Sequence, residues 1–226
     1  TFALILSLSR NVHKSYVRTQ KNDYRIDDIT GFDLLDKTLG VIGGGHIGLH
    51  VVRIARGFGM NVKVYDVHQQ KFLSEILGFQ YASFDDVLNS DIISLHVPHI
   101  PQTHHMINKE TLAKMKRHAI LINTSRGALV DTDALYQALE SGKLGGAGLD
   151  VIEGEDLIKE EKQLLHVDTH SEKWRTIVRN HKIFQMENVV FTPHNAFNSK
   201  EALQRILDTT IENVISGPKS KYLVSS

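Results

Sequence analysis

The chain has 226 residues, 41% of them hydrophobic and 23% charged. That composition is far from a disordered chain or a membrane protein, and a formal net charge of zero argues against an electrostatic nucleic-acid surface. The absence of cysteine removes disulfides and thiolate metal sites, and no metal site of any kind is expected.

Residues 1–9 are apolar, but no basic stretch precedes them and no small-residue cleavage site follows, so they do not read as an export signal. They are also too few to span a bilayer. Phe2, Ile5, Leu6 and Ser9 fit one face of a buried helix within residues 1–20. Without an export signal, the cytoplasm is the expected compartment.

From Thr38 onward strand and helix patterns alternate. Strands are expected at Thr38–Ile42, Asn61–Tyr65, Asp91–Val97, Ala119–Asn123, Gly145–Asp150 and Val189–Thr192. Helices are expected at His46–Phe58, Gln69–Leu77, from Ser83, at Thr111–Met115, Asp131–Ser141 and Ser199–Ser216. Such alternation implies an α/β fold, a doubly wound and mainly parallel sheet of the Rossmann kind over residues 21–217. Residues 154–188 are poorly patterned, hold Trp174, and read as an excursion inserted between core strands. Residues 218–226 form a tail.

Gly43, Gly45 and Gly48 make a G-x-G-x-x-G run between a strand and a helix. The first glycine permits a tight turn, the second a close approach of backbone to a pyrophosphate, the third close helix–strand packing. The helix N-terminus offers N–H groups to phosphates. Asp66, at the end of the next strand, suits a ribose and repels a 2′-phosphate, so NAD is preferred to NADP. An S-adenosylmethionine enzyme shares the strand, glycine loop and acid, and only the chemical residues argue against it.

Those residues follow later strands. Arg126, Asp150 with Glu155 beyond it, and His194 each stand at or just past a strand end, where ligands gather in open α/β sheets. Singly each has a bland reading, since the chain has 13 histidines and Glu155 lies in an acidic run. Jointly they suit hydride transfer to a nicotinamide. Histidine titrates near the working pH, a carboxylate fixes its tautomer, and arginine's planar fork matches a carboxylate.

The ordered motifs Gly-x-Gly-His-Ile-Gly, Ser-Leu-His-Val-Pro, Ile-Asn-Thr-Ser-Arg-Gly, Gly-Leu-Asp-Val and Thr-Pro-His resemble the D-isomer-specific 2-hydroxyacid dehydrogenases. Within that family the chain is most similar to the D-lactate dehydrogenases. The resemblance implies Arg126, Glu155 and His194 as catalytic residues: Arg126 for the substrate carboxylate, His194 as acid/base, Glu155 as its partner. It implies cofactor contacts from the loop residues Gly43, Gly45, His46, Ile47 and Gly48, and from Asp66. Val97 and Pro98 would flank the adenine, with Thr103 nearby. Thr124, Ser125, Arg126, Asp150 and His194 would complete the cofactor site toward the nicotinamide. Phe197 would line the substrate pocket with Arg126 and His194, where relatives often carry Tyr.

Members of that family also have a substrate domain, drawn mostly from residues ahead of the nucleotide domain. Residues 1–37 are too few for one, so the chain is expected to lack it, with residues 1–20 matching the interdomain helix. The resemblance implies a small 2-hydroxy or 2-keto acid as partner and a homodimer, without nucleic acid or membrane. Alternatives are a dehydrogenase for glycerate, phosphoglycerate or a branched acid, and a non-catalytic NAD sensor of the corepressor type.

Overall fold

The computed structural model describes residues 1–155 and 172–216. Residues 156–171 of the inserted excursion, and the tail, lie outside the described residues. The chain divides into two compact units, Thr1–Pro193 and a second beginning at His194.

The first unit is built on seven strands: β1 (Thr38–Ile42), β2 (Asn61–Tyr65), β3 (Gln80–Tyr81), β4 (Ile92–Leu95), β5 (Ala119–Asn123), β6 (Leu144–Leu149) and β7 (Val189–Phe191). They form one sheet in the order β3-β2-β1-β4-β5-β6-β7, every pairing parallel. The doubly wound α/β fold read from the sequence is therefore the observed one. Strands β4 and β5 are buried along their whole length. Their alternate residues feed two separate cores, Ile93, Leu95 and Leu121 on one face and Ile92, Ile120 and Ile122 on the other. This explains why the strands lack polar alternation: both faces are covered.

The helices in chain order are α1 (Phe2–Ser9), α2 (Val12–Gln20), α3 (His46–Gly57), α4 (Lys71–Leu77), α5 (Phe84–Leu88), α6 (Lys109–Lys114), α7 (Thr132–Glu140), α8 (Glu172–Phe184) and, in the second unit, α9 (Lys200–Ser216). In α3 the buried residues are Gly48, Val51, Val52 and Ala55, one stripe at helical spacing. Local chemistry sets the ends. Ser83 accepts the Asp86 N–H at the start of α5, and Asp131 accepts those of Asp133 and Ala134 at the start of α7. Gly78 ends α4 in the left-handed region at φ 68°. Among the described residues no helix is long and apolar enough to cross a membrane.

Beyond shifts of one to a few residues at element ends, three elements differ from the sequence reading. The N-terminal helix is two helices, α1 and α2, because Asn11 turns left-handed at φ 51°. Its buried face is Leu4, Ile5, Leu8 and Ser9, not the Phe2, Ile5, Leu6 and Ser9 face expected, since α1 lies on β6 and β7. Helix α8 occupies part of the segment read as unpatterned. Its inward residues are Ile177, Asn180 and Ile183, and the buried asparagine in the middle hides the apolar period. Strand β3 is too short to show any period at all.

The N-terminal edge of the sheet is tied by Asp91. One of its carboxylate oxygens accepts the Thr38 N–H at 2.8 Å, and the other pairs with Lys116 at 2.8 Å, so β1, β4 and β5 begin in register. Partial burial raises the Asp91 pKa, but Lys116 and the Thr38 N–H outweigh it and hold the carboxyl below its ordinary value. A carboxyl depressed in the folded state stabilises above the unfolded value of about 3.9, and that gain is lost as pH falls through the folded value. Asp91→Asn should therefore lower Tm near neutral pH and reduce its decline below about pH 4, read by thermal unfolding across pH.

Candidate active site

The strand order reverses between β1, which pairs with β2 on one side, and β4 on the other. At that switch point the loops leaving the two strands diverge and open a crevice. The G-x-G-x-x-G loop leaves β1 here and enters α3. Gly43 adopts φ 102°, and a Cβ on it would lie 2.5 Å from the His96 carbonyl oxygen. A Cβ on Gly48 would lie 1.9 Å from the Gly43 oxygen. Those two positions are closed to any side chain by backbone. Gly45 is the opposite case, with no atom within 4 Å of a built Cβ. It caps α3 with no side-chain acceptor, and Gly45, His46 and Ile47 are all exposed. An uncapped helix start facing open space is what a pyrophosphate requires.

Asp66 stands just past β2. One oxygen accepts the Gly44 N–H at 2.6 Å and the other the His68 N–H at 2.7 Å. Each carboxylate oxygen keeps a lone pair for a ribose hydroxyl. Asp66 thus also fastens the glycine loop to the end of β2, a structural duty that spacing alone did not suggest.

Past β4, a side-chain methyl of Val97 would sit 2.9 Å from a Cβ on Gly43, so Val97 lies against the glycine loop. Thr103 builds the turn after Pro98: its hydroxyl donates to the Pro98 carbonyl at 2.7 Å and accepts the Ile100 N–H at 2.9 Å. Ser125 joins the β4 and β5 loops by donating to the Val97 carbonyl at 2.6 Å. His96, quoted in a motif but given no role, sits between these parts. Its N–H donates to the Ile42 carbonyl at 2.7 Å and its ring Nε2 lies 2.8 Å from the Ser94 hydroxyl. Burial pushes this imidazole down to about 4, so it is neutral at physiological pH. Ser94 is buried within β4, and His96 follows that strand by one residue.

Arg126 follows β5 in a turn shaped by buried Asn123. That side chain accepts the Ser125 N–H at 3.0 Å and donates to the Arg126 carbonyl at 2.9 Å. The guanidinium is exposed and donates to the Ser125 carbonyl at 2.7 Å. Gly127 is the residue sequence reasoning passed over. A Cβ there would lie 2.3 Å from the Ile152 carbonyl carbon and 2.5 Å from the Glu153 nitrogen. The arginine turn is thereby pressed against the chain that leads from β6 to Glu155. Asp150, buried at the end of β6, receives the Thr192 hydroxyl, and its N–H donates to the Asn123 carbonyl at 2.9 Å. Glu155 is partly buried, and its N–H donates to the Ile152 carbonyl at 3.2 Å. The first unit thus places the glycine loop, Asp66, Val97, Thr124, Arg126 and the 150–155 segment at the C-terminal ends of the inner strands.

His194 and Phe197 belong to the second unit. His194 is partly buried and left-handed at φ 53°, with Phe197 edge-on to its ring at 6.1 Å. Phe197 is 48% exposed. Among the described residues no group of three or more His, Asp or Glu side chains is arranged to hold a metal ion.

A model of the D-isomer specific 2-hydroxyacid dehydrogenase NAD binding domain matches residues 2–196. The chain belongs to this family. A 2-hydroxyacid dehydrogenase homolog of Haemophilus influenzae is 39% identical, over 95% of this chain and 62% of the relative. The D-lactate dehydrogenase of Escherichia coli is 37% identical, over 93% of this chain and 62% of its own length. Among solved structures, D-lactate dehydrogenase from Aquifex aeolicus, complexed with NAD and lactic acid, superposes with a TM-score of 0.87 at 40% identity, over 96% of this chain and 64% of that one. This dehydrogenase-family chain therefore spans less than two thirds of the length of these relatives. The family's NAD fits the open Gly45 face, the uncapped α3 start and the Asp66 carboxylate.

Gly45→Ala should leave the fold intact, with a stability change of about 1 kcal/mol or less, yet weaken NADH binding by about tenfold or more. Gly48→Ala should destabilise by about 1–3 kcal/mol, because its Cβ meets backbone. Fluorescence titration with NADH beside urea unfolding distinguishes the two.

Proposed function

We propose that this chain is the nucleotide-binding part, with most of the acid/base machinery, of an NAD-dependent D-2-hydroxyacid dehydrogenase acting on D-lactate and pyruvate. The observation that carries the reading is the contact of Gly127 with Ile152 and Glu153. It sets an arginine turn beside a carboxylate-bearing segment at the C-terminal end of the sheet, where the dinucleotide loop also opens.

NAD(H), held by the glycine loop and Asp66, supplies the hydride chemistry. Arg126 binds the substrate carboxylate through its planar fork and polarises the neighbouring carbonyl. His194 donates a proton to the developing alkoxide during reduction and removes the hydroxyl proton during oxidation. Glu155 fixes the imidazole tautomer and favours its protonated form. Phe197 gives the pocket an apolar wall. Lactate is favoured over bulkier acids by the motif resemblance and by the D-lactate dehydrogenases among the relatives. A homodimer in the cytoplasm is the proposed working state.

A further substrate-binding wall, from a domain of the kind this family uses, is needed for full activity, because exclusion of water and positioning require both sides of a cleft. The chain alone should bind NADH yet reduce pyruvate far more slowly than a two-domain relative, as steady-state assay would establish; equal turnover contradicts this.

His194→Gln should lower pyruvate reduction by about 10²-fold or more while NADH affinity barely moves. Unchanged reduction in the variant sinks the enzymatic reading in favour of an NAD sensor. A panel of 2-keto acids run on the unaltered protein ranks pyruvate against glycerate-type and branched substrates.

A further inference from the structure

Glu155 sits at the end of a short segment, Asp150 to Glu155, held at its start by the hydrogen bonds of Asp150 and near its end by Glu153. Three elements hold Glu153. Its backbone nitrogen lies against Gly127, where a Cβ would come within 2.5 Å. Its carbonyl accepts the side-chain N–H of Asn180, a fully buried residue of α8, at 2.9 Å. Its carboxylate pairs with His105 Nε2 at 2.9 Å, with the two side chains only 31% and 33% exposed.

His105 is itself fixed from several directions. Its backbone is left-handed at φ 47°, a conformation a side chain rarely adopts unless the surroundings impose it. Its N–H donates to the Ala128 carbonyl at 2.9 Å, on the far side of the arginine turn. Its carbonyl accepts from the Asn108 side chain at 3.1 Å. The ring stacks on His104 at 3.9 Å, and His104 in turn shares a hydrogen bond with His99 at 3.2 Å. The imidazole that meets Glu153 is therefore anchored to the loop after β4 and to the turn that carries Arg126. Between Glu153 and Glu155 lies Gly154, left-handed at φ 74°, a pivot with no side chain to resist rotation.

We propose that His105 and Glu153 are a positioning pair: they lock the 150–155 segment to the arginine turn and so present Glu155 at a fixed place. The proposal rests on the reading of Glu155 as partner of the acid/base histidine. Neither His105 nor Glu153 need touch substrate. Breaking the pair removes the side-chain tie between this segment and the loop after β4, while the Gly127 contact, the Asn180 hydrogen bond and the hydrogen bonds of Asp150 remain. Glu155 then samples other positions and stabilises the protonated acid/base less. In the reductive direction that acid must carry its proton, so the rate should fall at lower pH than before. An ordinary surface ion pair would do none of this.

The test uses His105→Ala and His105→Gln, since glutamine's amide N–H can still donate to the Glu153 carboxylate. Two quantities are read: hydrogen exchange of the Glu155 amide, which is bonded to the Ile152 carbonyl, and single-turnover pyruvate reduction across pH at saturating NADH. His105→Ala should speed exchange at Glu155 by about tenfold. It should move the alkaline limb of the rate profile down by about one pH unit, with the NADH dissociation constant unchanged. His105→Gln should restore both. Should His105→Ala fail to fold by circular dichroism, Glu153→Ala examines the same pair from its other end. Unaltered exchange at Glu155 overturns the proposal, as does faster exchange with an unmoved alkaline limb, or a glutamine variant that behaves as the alanine one. Failure of the unaltered protein to reduce any 2-keto acid counts against the dehydrogenase reading instead, and the exchange measurement then decides the positioning pair by itself.

Discussion

The close approach of Gly127 to the backbone of Ile152 and Glu153 is the constraint on which the site depends. Strands β5 and β6 are neighbours in the sheet, so the chains leaving them begin side by side. Parallel pairing alone would let the two loops splay into solvent. A residue without a side chain lets one loop settle directly on the other, and buried Asn123 holds the preceding turn rigid through its two hydrogen bonds. Arginine and carboxylate segment are thus placed by backbone packing, which is stiffer than any pairing of their own long side chains.

The same economy governs the nucleotide side. The reversal of strand order between β1 and β4 creates a crevice without any special residue, and the loop chemistry only trims it. Gly43 and Gly48 are fixed by what already occupies the space around them, Gly45 by what does not. Asp66 closes the arrangement by fastening the Gly44 amide to the end of β2 while keeping acceptor capacity for a ribose. The carboxylate proposed for the ribose is also a structural fastener, so a change made at Asp66 to alter cofactor preference also disturbs the loop it fastens.

Much of this was legible before any coordinates. Strands β1, β2 and β5 fall on the residues expected, because β-branched and aliphatic runs bounded by turn residues leave little choice. The glycine loop, Asp66 and Arg126 stand where strand ends were expected. What stayed hidden did so for particular reasons. Helix α8 carries Asn180 at the centre of its buried face, and that asparagine is spent on the Glu153 carbonyl. Helix α1 turns Leu4 and Leu8 inward because the glycines of β6 leave room there, which no helical period reveals. Glu153 and His105 looked like a solvated acid and one of many histidines, since their meaning comes from a contact across the sequence.

The sequence by itself determined the parallel sheet and the dinucleotide loop, because these rest on local periodicity and on residue types with few substitutes. Only the tertiary structure decided which backbones touch: that Gly127 admits the β6 loop, that Asp66 fastens the glycine loop, and that His105 reaches Glu153. Those contacts join residues distant in the chain through distances of a few ångströms, and such distances are set by the packing of whole elements, which no single stretch of sequence encodes.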